Sequence, residues 1–86
     1  METELEQTNF KPFVSRKSDR HVVWKGSIGH QDRLLAYHNA LTTMNMLKMS
    51  LEDYDPGIVS LPGKWYHRDK SGNFVEAKNL IKRGRM

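Results

Sequence analysis

The chain has 86 residues, no cysteine, and 14 Lys and Arg against 10 Asp and Glu, for a net charge of +4. That length holds one domain with a small core, and the missing cysteines exclude disulfides, thiolate zinc sites and a cysteine nucleophile. No apolar run approaches the roughly 20 residues that span a bilayer, while 37% hydrophobic residues is too many for a wholly disordered chain.

The charge is segregated along the chain. Glu2, Glu4 and Glu6 give an acidic start, followed by a basic stretch with Lys11, Arg16, Lys17, Arg20 and Lys25 against Asp19. Residues 26–51 are nearly neutral, Glu52, Asp53 and Asp55 form an acidic knot, and the remainder holds seven bases against Asp69 and Glu76. Segregation of this kind favours an acidic partner, either a nucleic acid or an acidic protein surface. The opening Met-Glu-Thr-Glu-Leu-Glu lacks the basic and apolar parts of a secretory signal, so a soluble, cytoplasmic protein without a membrane contact is expected.

Residues 1–19 show no sustained period, and Pro12 with the Ser15–Asp19 run predicts an extended N-terminal arm, with Phe10, Phe13 and Val14 as a docking patch. Residues 20–81 then form a single α+β domain, and 82–86 a basic tail. Arg20–Lys25 is β-branched and aromatic and ends at Gly26, which reads as a strand. Ser27 is a candidate N-cap for a helix from about Ile28 to Leu51, with Asp32 near its first turn. Its main stripe is Leu34, Tyr37, Ala40, Leu41, Met44, Leu47 and Leu51, at spacings of three and four. Asp55-Pro56-Gly57 stops it. Ile58–Leu61 is a short apolar run ended by Pro62-Gly63. Lys64–Arg68 and Asn73–Glu76 flank Asp69-Lys70-Ser71-Gly72, a four-residue hairpin loop. Pairing Arg68 with Asn73 puts Trp65 on the face of Phe74 and Tyr66 on the other. Ala77–Lys82 suits a terminal helical turn. The predicted architecture is one long helix packed on a small antiparallel sheet, with arms at both ends.

Chemistry is scarce. His21, His30, His38 and His67 never stand at the i, i+4 spacing of a helix-borne metal pair, and no serine has a nucleophile-elbow context. Ser27-Ile28-Gly29 reads as an ordinary helix start, and the acidic knot lacks the spaced oxygens of a calcium loop. An enzyme is not expected, nor a metal, a cofactor or a small-molecule substrate.

Two functions are expected instead. Leu34–Leu47 contains no charged residue, although a solvent-facing helix surface normally carries several. Leu35, Thr42, Met46 and Met49 form a second stripe opposite the first, and methionine adapts to irregular contacts. This predicts a non-enzymatic accessory protein that docks through its helix on a protein partner, itself or a larger assembly, unless the arm with Phe10 and Phe13 covers that face. The alternative is DNA or RNA binding through the basic aromatic hairpin and tail. Lys64, Trp65, Arg68, Lys70, Lys82, Arg83 and Arg85 offer phosphate attraction and a base-stacking ring.

Overall fold

The computed structural model describes residues 9–60 and 63–82. The chain is α+β, with one helix packed on a five-stranded antiparallel sheet among these residues. The strands are β1 (Phe10–Arg16), β2 (Val22–Lys25), β3 (Tyr54–Ser60), β4 (Lys64–Arg68) and β5 (Phe74–Glu76), and the helix is α1 (Arg33–Met46). Their order across the sheet is β2-β1-β3-β4-β5, and α1 lies against β1 and β3. No helix among the described residues is long and apolar enough to cross a membrane.

The segment expected as an arm supplies a central strand. Pro12, Phe13, Val14 and Ser15, which point alternately to the two faces, are all buried in a strand paired along both edges. A strand buried on both faces shows no polar alternation, and Pro12 hid it further. The proline is tolerated because its ring nitrogen points toward β2 where that strand has ended, and its carbonyl still accepts from Gly26 N–H at 2.8 Å. Residues 1–8 of the expected arm lie outside the described residues. Pro56 likewise sits inside β3, so Asp55-Pro56-Gly57 continues a strand and does not terminate the helix.

The helix is shorter than its periodicity predicts at both ends. His30 is drawn to the sheet: it and Phe10 exchange two backbone hydrogen bonds at 2.7 and 2.8 Å. The N-cap is therefore Asp32, whose carboxylate accepts from Leu34 N–H at 2.9 Å, and not Ser27. At the other end Met49 N–H donates to Met44 O (2.8 Å) and Lys48 N–H to Asn45 O (3.2 Å). This is the Schellman pattern, with Lys48 at φ +59° in the left-handed position usually given to glycine.

On the sheet face under α1, Val14, Ala40 and Met44 form the core, with Trp24, Met49 and Tyr54 packed around them. Of the predicted main stripe, Ala40 and Met44 are buried and Tyr37 and Leu41 half-buried, whereas Leu34, Leu47 and Leu51 are exposed. Leu47 and Leu51 fall outside the helix once the chain turns at Lys48. Ala36, absent from that stripe, is fully buried. Alternation along β1 sends Phe13 to the opposite face. There its ring meets Trp65 edge-on (4.8 Å between centroids) and lies above Gly57. A Cβ on Gly57 would stand 2.5 Å from Phe13 ring carbons and from the Tyr66 carbonyl oxygen, so this position has room only for glycine.

The hairpin forms with a different register. Asp69 N–H donates to Asn73 O (2.9 Å), leaving a three-residue loop closed by Gly72 at φ +89°. Arg68 thus stands opposite Phe74, not Asn73. A one-residue shift exchanges faces, so Phe74 joins Arg68 and Tyr66 on the α1 side and leaves Trp65 on the other. Residues 77–82 are irregular and not helical, with a bend at Asn79 (φ +63°). Ala77 N–H bonds to Trp65 O at 2.8 Å, and Ile81 bridges β2 through Arg20 O and Val22 N–H, each at 2.9 Å. The segment is a strap from the β4 side of the sheet to its β2 edge.

Candidate functional site

The outer face of α1 follows from which side of it is buried. Ala36, Ala40 and Met44 face the sheet, so the helix seats closely on Val14. The opposite line then carries Leu35, His38, Thr42, Asn45 and Met46, all exposed and none charged. Leu35 is 59% exposed and Met46 72%. Leu34 flanks this line, and Leu47 and Leu51 (56% and 58% exposed) extend the apolar area past the helix end. Three of the four residues expected on the outer stripe are therefore placed there. Met49 is the correction: beyond the Schellman turn it packs against the core cluster instead. The arm does not cover this face through Phe13, which lies on the far side of the sheet.

The residues expected to contact nucleic acid are split by the register. Trp65 is half-buried on the sheet face away from α1, and the strap brings Lys82 Nζ to 5.3 Å from its ring. Lys25 Nζ, from β2, lies 5.6 Å from the same ring. The pairing ladder sets Lys11, Val59 and Trp65 in one row across β1, β3 and β4. Lys64 and Arg68 belong to the other face by alternation, and Lys70 stands at the hairpin tip. Arg83 and Arg85 lie outside the described residues. Lys11 and Lys25 belong to a basic stretch visible in the sequence, but nothing there showed that they would meet Trp65.

Arg68 has a different occupation. Its guanidinium stacks 5.3 Å from the Tyr37 ring and 5.5 Å from Phe74, while Nε donates to Gly72 O at 2.9 Å. Arg33 meets Phe74 and Phe10 at 5.9 and 5.7 Å, and Tyr37 meets Phe74 edge-on. These contacts fasten the start of α1 to the hairpin. Burial pushes the Tyr37 hydroxyl pKa up, against the opposing pull of Arg68.

One polar cluster was not visible in the sequence. Ser15, 2% exposed, places Oγ 3.4 Å from His67 Nε2, with Asp55 opposite Ser15 in the ladder. Burial lowers the His67 pKa; Asp55 opposes this, and Arg20 and Lys17 reinforce it. The serine hydroxyl is sealed from solvent and Asp55 has no hydrogen bond to the imidazole among the described residues, so the trio lacks the access and orientation of a nucleophilic triad. No cluster of three or more metal-binding side chains occurs among the described residues. A cleft of about 180 Å³ between Pro12, Trp24, Ile28 and Asn39 is below the size that encloses a typical small-molecule ligand. Asn39 Nδ2 donates to His30 Nε2 at 2.8 Å at its side.

Comparison of the chain with protein-family models, with curated proteins and with solved structures finds no match.

Proposed function

We propose that the protein is a non-enzymatic docking module of the cytoplasm whose partner is a second copy of itself, met through the outer face of α1. The observation that carries this reading is the exposed, charge-free line Leu35, His38, Thr42, Asn45 and Met46. Large contiguous apolar areas on a small protein mark interaction surfaces, and single exposed leucines do not. Here Leu34, Leu35, Met46, Leu47 and Leu51 are exposed together around one short helix.

Two features favour self-pairing. A two-fold contact sets the same surface against itself, so any charge near its axis meets its own copy; residues 34–47 carry none. The pattern is also symmetric about the middle of the helix. An antiparallel pairing that sets Leu34 against Met46 sets His38 against Thr42, all exposed, with apolar residues at both ends of the contact and uncharged hydrogen-bonding groups at its centre. Antiparallel apposition aligns the two helix dipoles favourably as well.

Sedimentation across the micromolar range tests the proposal. The wild type should show a concentration-dependent dimer. Leu35→Glu with Met46→Glu should be monomeric with an unchanged circular-dichroism spectrum and Tm, because both positions are exposed in the single copy while a charge buried without a partner opposes the dimer. A wild type that stays monomeric throughout, or a double variant that still dimerises, overturns it.

A further inference from the structure

We infer that the sheet face opposite α1 is a binding surface for single-stranded nucleic acid, with Trp65 as the stacking platform and Lys11, Lys25 and Lys82 as its phosphate contacts. The inference is independent of the reading given to α1, since the two surfaces lie on opposite sides of the sheet.

Sequence segments far apart converge on this ring. Lys25 from β2 and Lys82 from the strap meet at Trp65 of β4, and Lys11 of β1 stands in the same row two strands away, so the fold brings cations from both basic stretches to one side of the sheet. Among the described residues none of the three lysines has a carboxylate within 4.0 Å; the ion pair there is Arg16–Asp19, at 2.9 Å. Two ammonium groups beside a half-buried indole, with no carboxylate partner among the described residues, repel each other, and an arriving polyanion relieves that repulsion while releasing its own counterions.

The indole is held for such contact. Its edge is fixed by the buried Phe13 ring (4.8 Å, 71°), and Ala77 N–H ties down its backbone carbonyl at 2.8 Å. Lys25 and Lys82 bring ammonium groups to 5.6 and 5.3 Å from its centre. A lysine over an exposed ring is held weakly, whereas a nucleobase stacked on it is held more strongly. A base therefore displaces the ammonium groups from the ring and leaves them beside its flanking phosphates. Duplex DNA hides its base faces, so the geometry selects unpaired strands.

The test uses the full chain with labelled oligo-dT, oligo-U, a duplex of equal length and inorganic polyphosphate at about 50 mM salt, where electrostatic attraction is strong. Oligo-dT and oligo-U should bind more tightly than the duplex or polyphosphate and quench tryptophan fluorescence. Trp65→Leu, which keeps apolar bulk against Phe13, should lose the quench and about tenfold in affinity. Lys25→Gln with Lys82→Gln should reduce the log–log salt slope by about 0.7 per lysine, and Lys48→Gln with Lys70→Gln, away from the ring, should leave it unchanged. If Trp65→Leu fails to fold, the lysine pairs decide. Absence of strand binding, binding that polyphosphate matches without any quench, or equal slopes in the two lysine pairs would overturn the inference; a difference between dT and U would only identify which strand chemistry is preferred and leaves the stacking site standing.

Discussion

Gly57→Ala probes the contact on which the second sheet face is built. The new methyl would arrive 2.5 Å from Cε1 and Cζ of Phe13 and 2.5 Å from the Tyr66 carbonyl oxygen. Carbon atoms rest at about 3.5–4.0 Å, so ring or backbone must yield by roughly 1 Å. Phe13 cannot swing away, being fully buried between Trp65 and His67, and Tyr66 O belongs to β4, which pairs with β3 at this level. Overpacking of this kind costs about 1–3 kcal/mol. A domain of this size has a total stability of about 4–13 kcal/mol, and at its length that cost lowers Tm by about 5–20 °C. Thermal unfolding followed by circular dichroism measures it. A double-mutant cycle with Phe13→Leu isolates the ring: shortening the side chain should recover part of the alanine penalty, so the combined loss should fall short of the sum. Additive losses, or a Gly57→Ala protein with unchanged Tm, would show that Phe13 does not lie on Gly57.

The other expectations concern the helix and two titrating groups. Lys48→Gly should raise stability by up to about 1 kcal/mol, since the left-handed Schellman position penalises a side chain; an unchanged denaturation midpoint would contradict that geometry. Met44→Ala should cost about 2–5 kcal/mol and Leu47→Ala less than about 0.5 kcal/mol, as befits a buried and an exposed site, and chemical denaturation would reveal a reversed order. Asp19, held to a pKa of about 2 by its hydrogen bonds from Arg16 and the His21 backbone, should titrate by NMR near that value and return toward the ordinary range in Arg16→Gln. The His67 pKa is lowered below 6.5 chiefly by burial, so the unfolded chain takes up its proton first. Stability from this group is complete above about pH 6.5 and declines as pH falls below it; His67→Phe should flatten the change between pH 7 and 5.

The fold class was readable because α1 is strongly marked by apolar spacing and β2 and the hairpin by β-branched and aromatic runs. Its outer face was readable too, since a helix buried on Ala40 and Met44 must present Leu35, Thr42 and Met46 elsewhere. What failed was context supplied by distant chain. Nothing local to Phe10–Arg16 reveals that strands pair on both of its edges, and Pro12 argued against it. The helix ends were overrun because His30 pairs with Phe10 and because Lys48 occupies a position whose usual marker is glycine. The hairpin register turned on whether Asn73 belonged to the loop or the strand, and that single residue decided which aromatics share a face. The place of Lys25 beside Trp65 stayed invisible for the same reason: the two meet only after β1, β2, β3 and β4 have assembled.

The strap also governs when the molecule becomes safe to expose. Until Ile81 reaches Val22, β2 presents an unpaired row of backbone groups, the kind of open strand margin along which chains associate edge to edge. The start of that margin, at Val22, is capped by Ile81, almost sixty positions downstream. Such a long loop makes closure a late step in folding and separates sheet assembly from sheet protection. Shortening the chain just after β5 would leave every sheet strand present while removing this cap, and the expected result is increased aggregation through β2. The segment after β5 thus acts less as an appendage than as a clasp on the β2 edge.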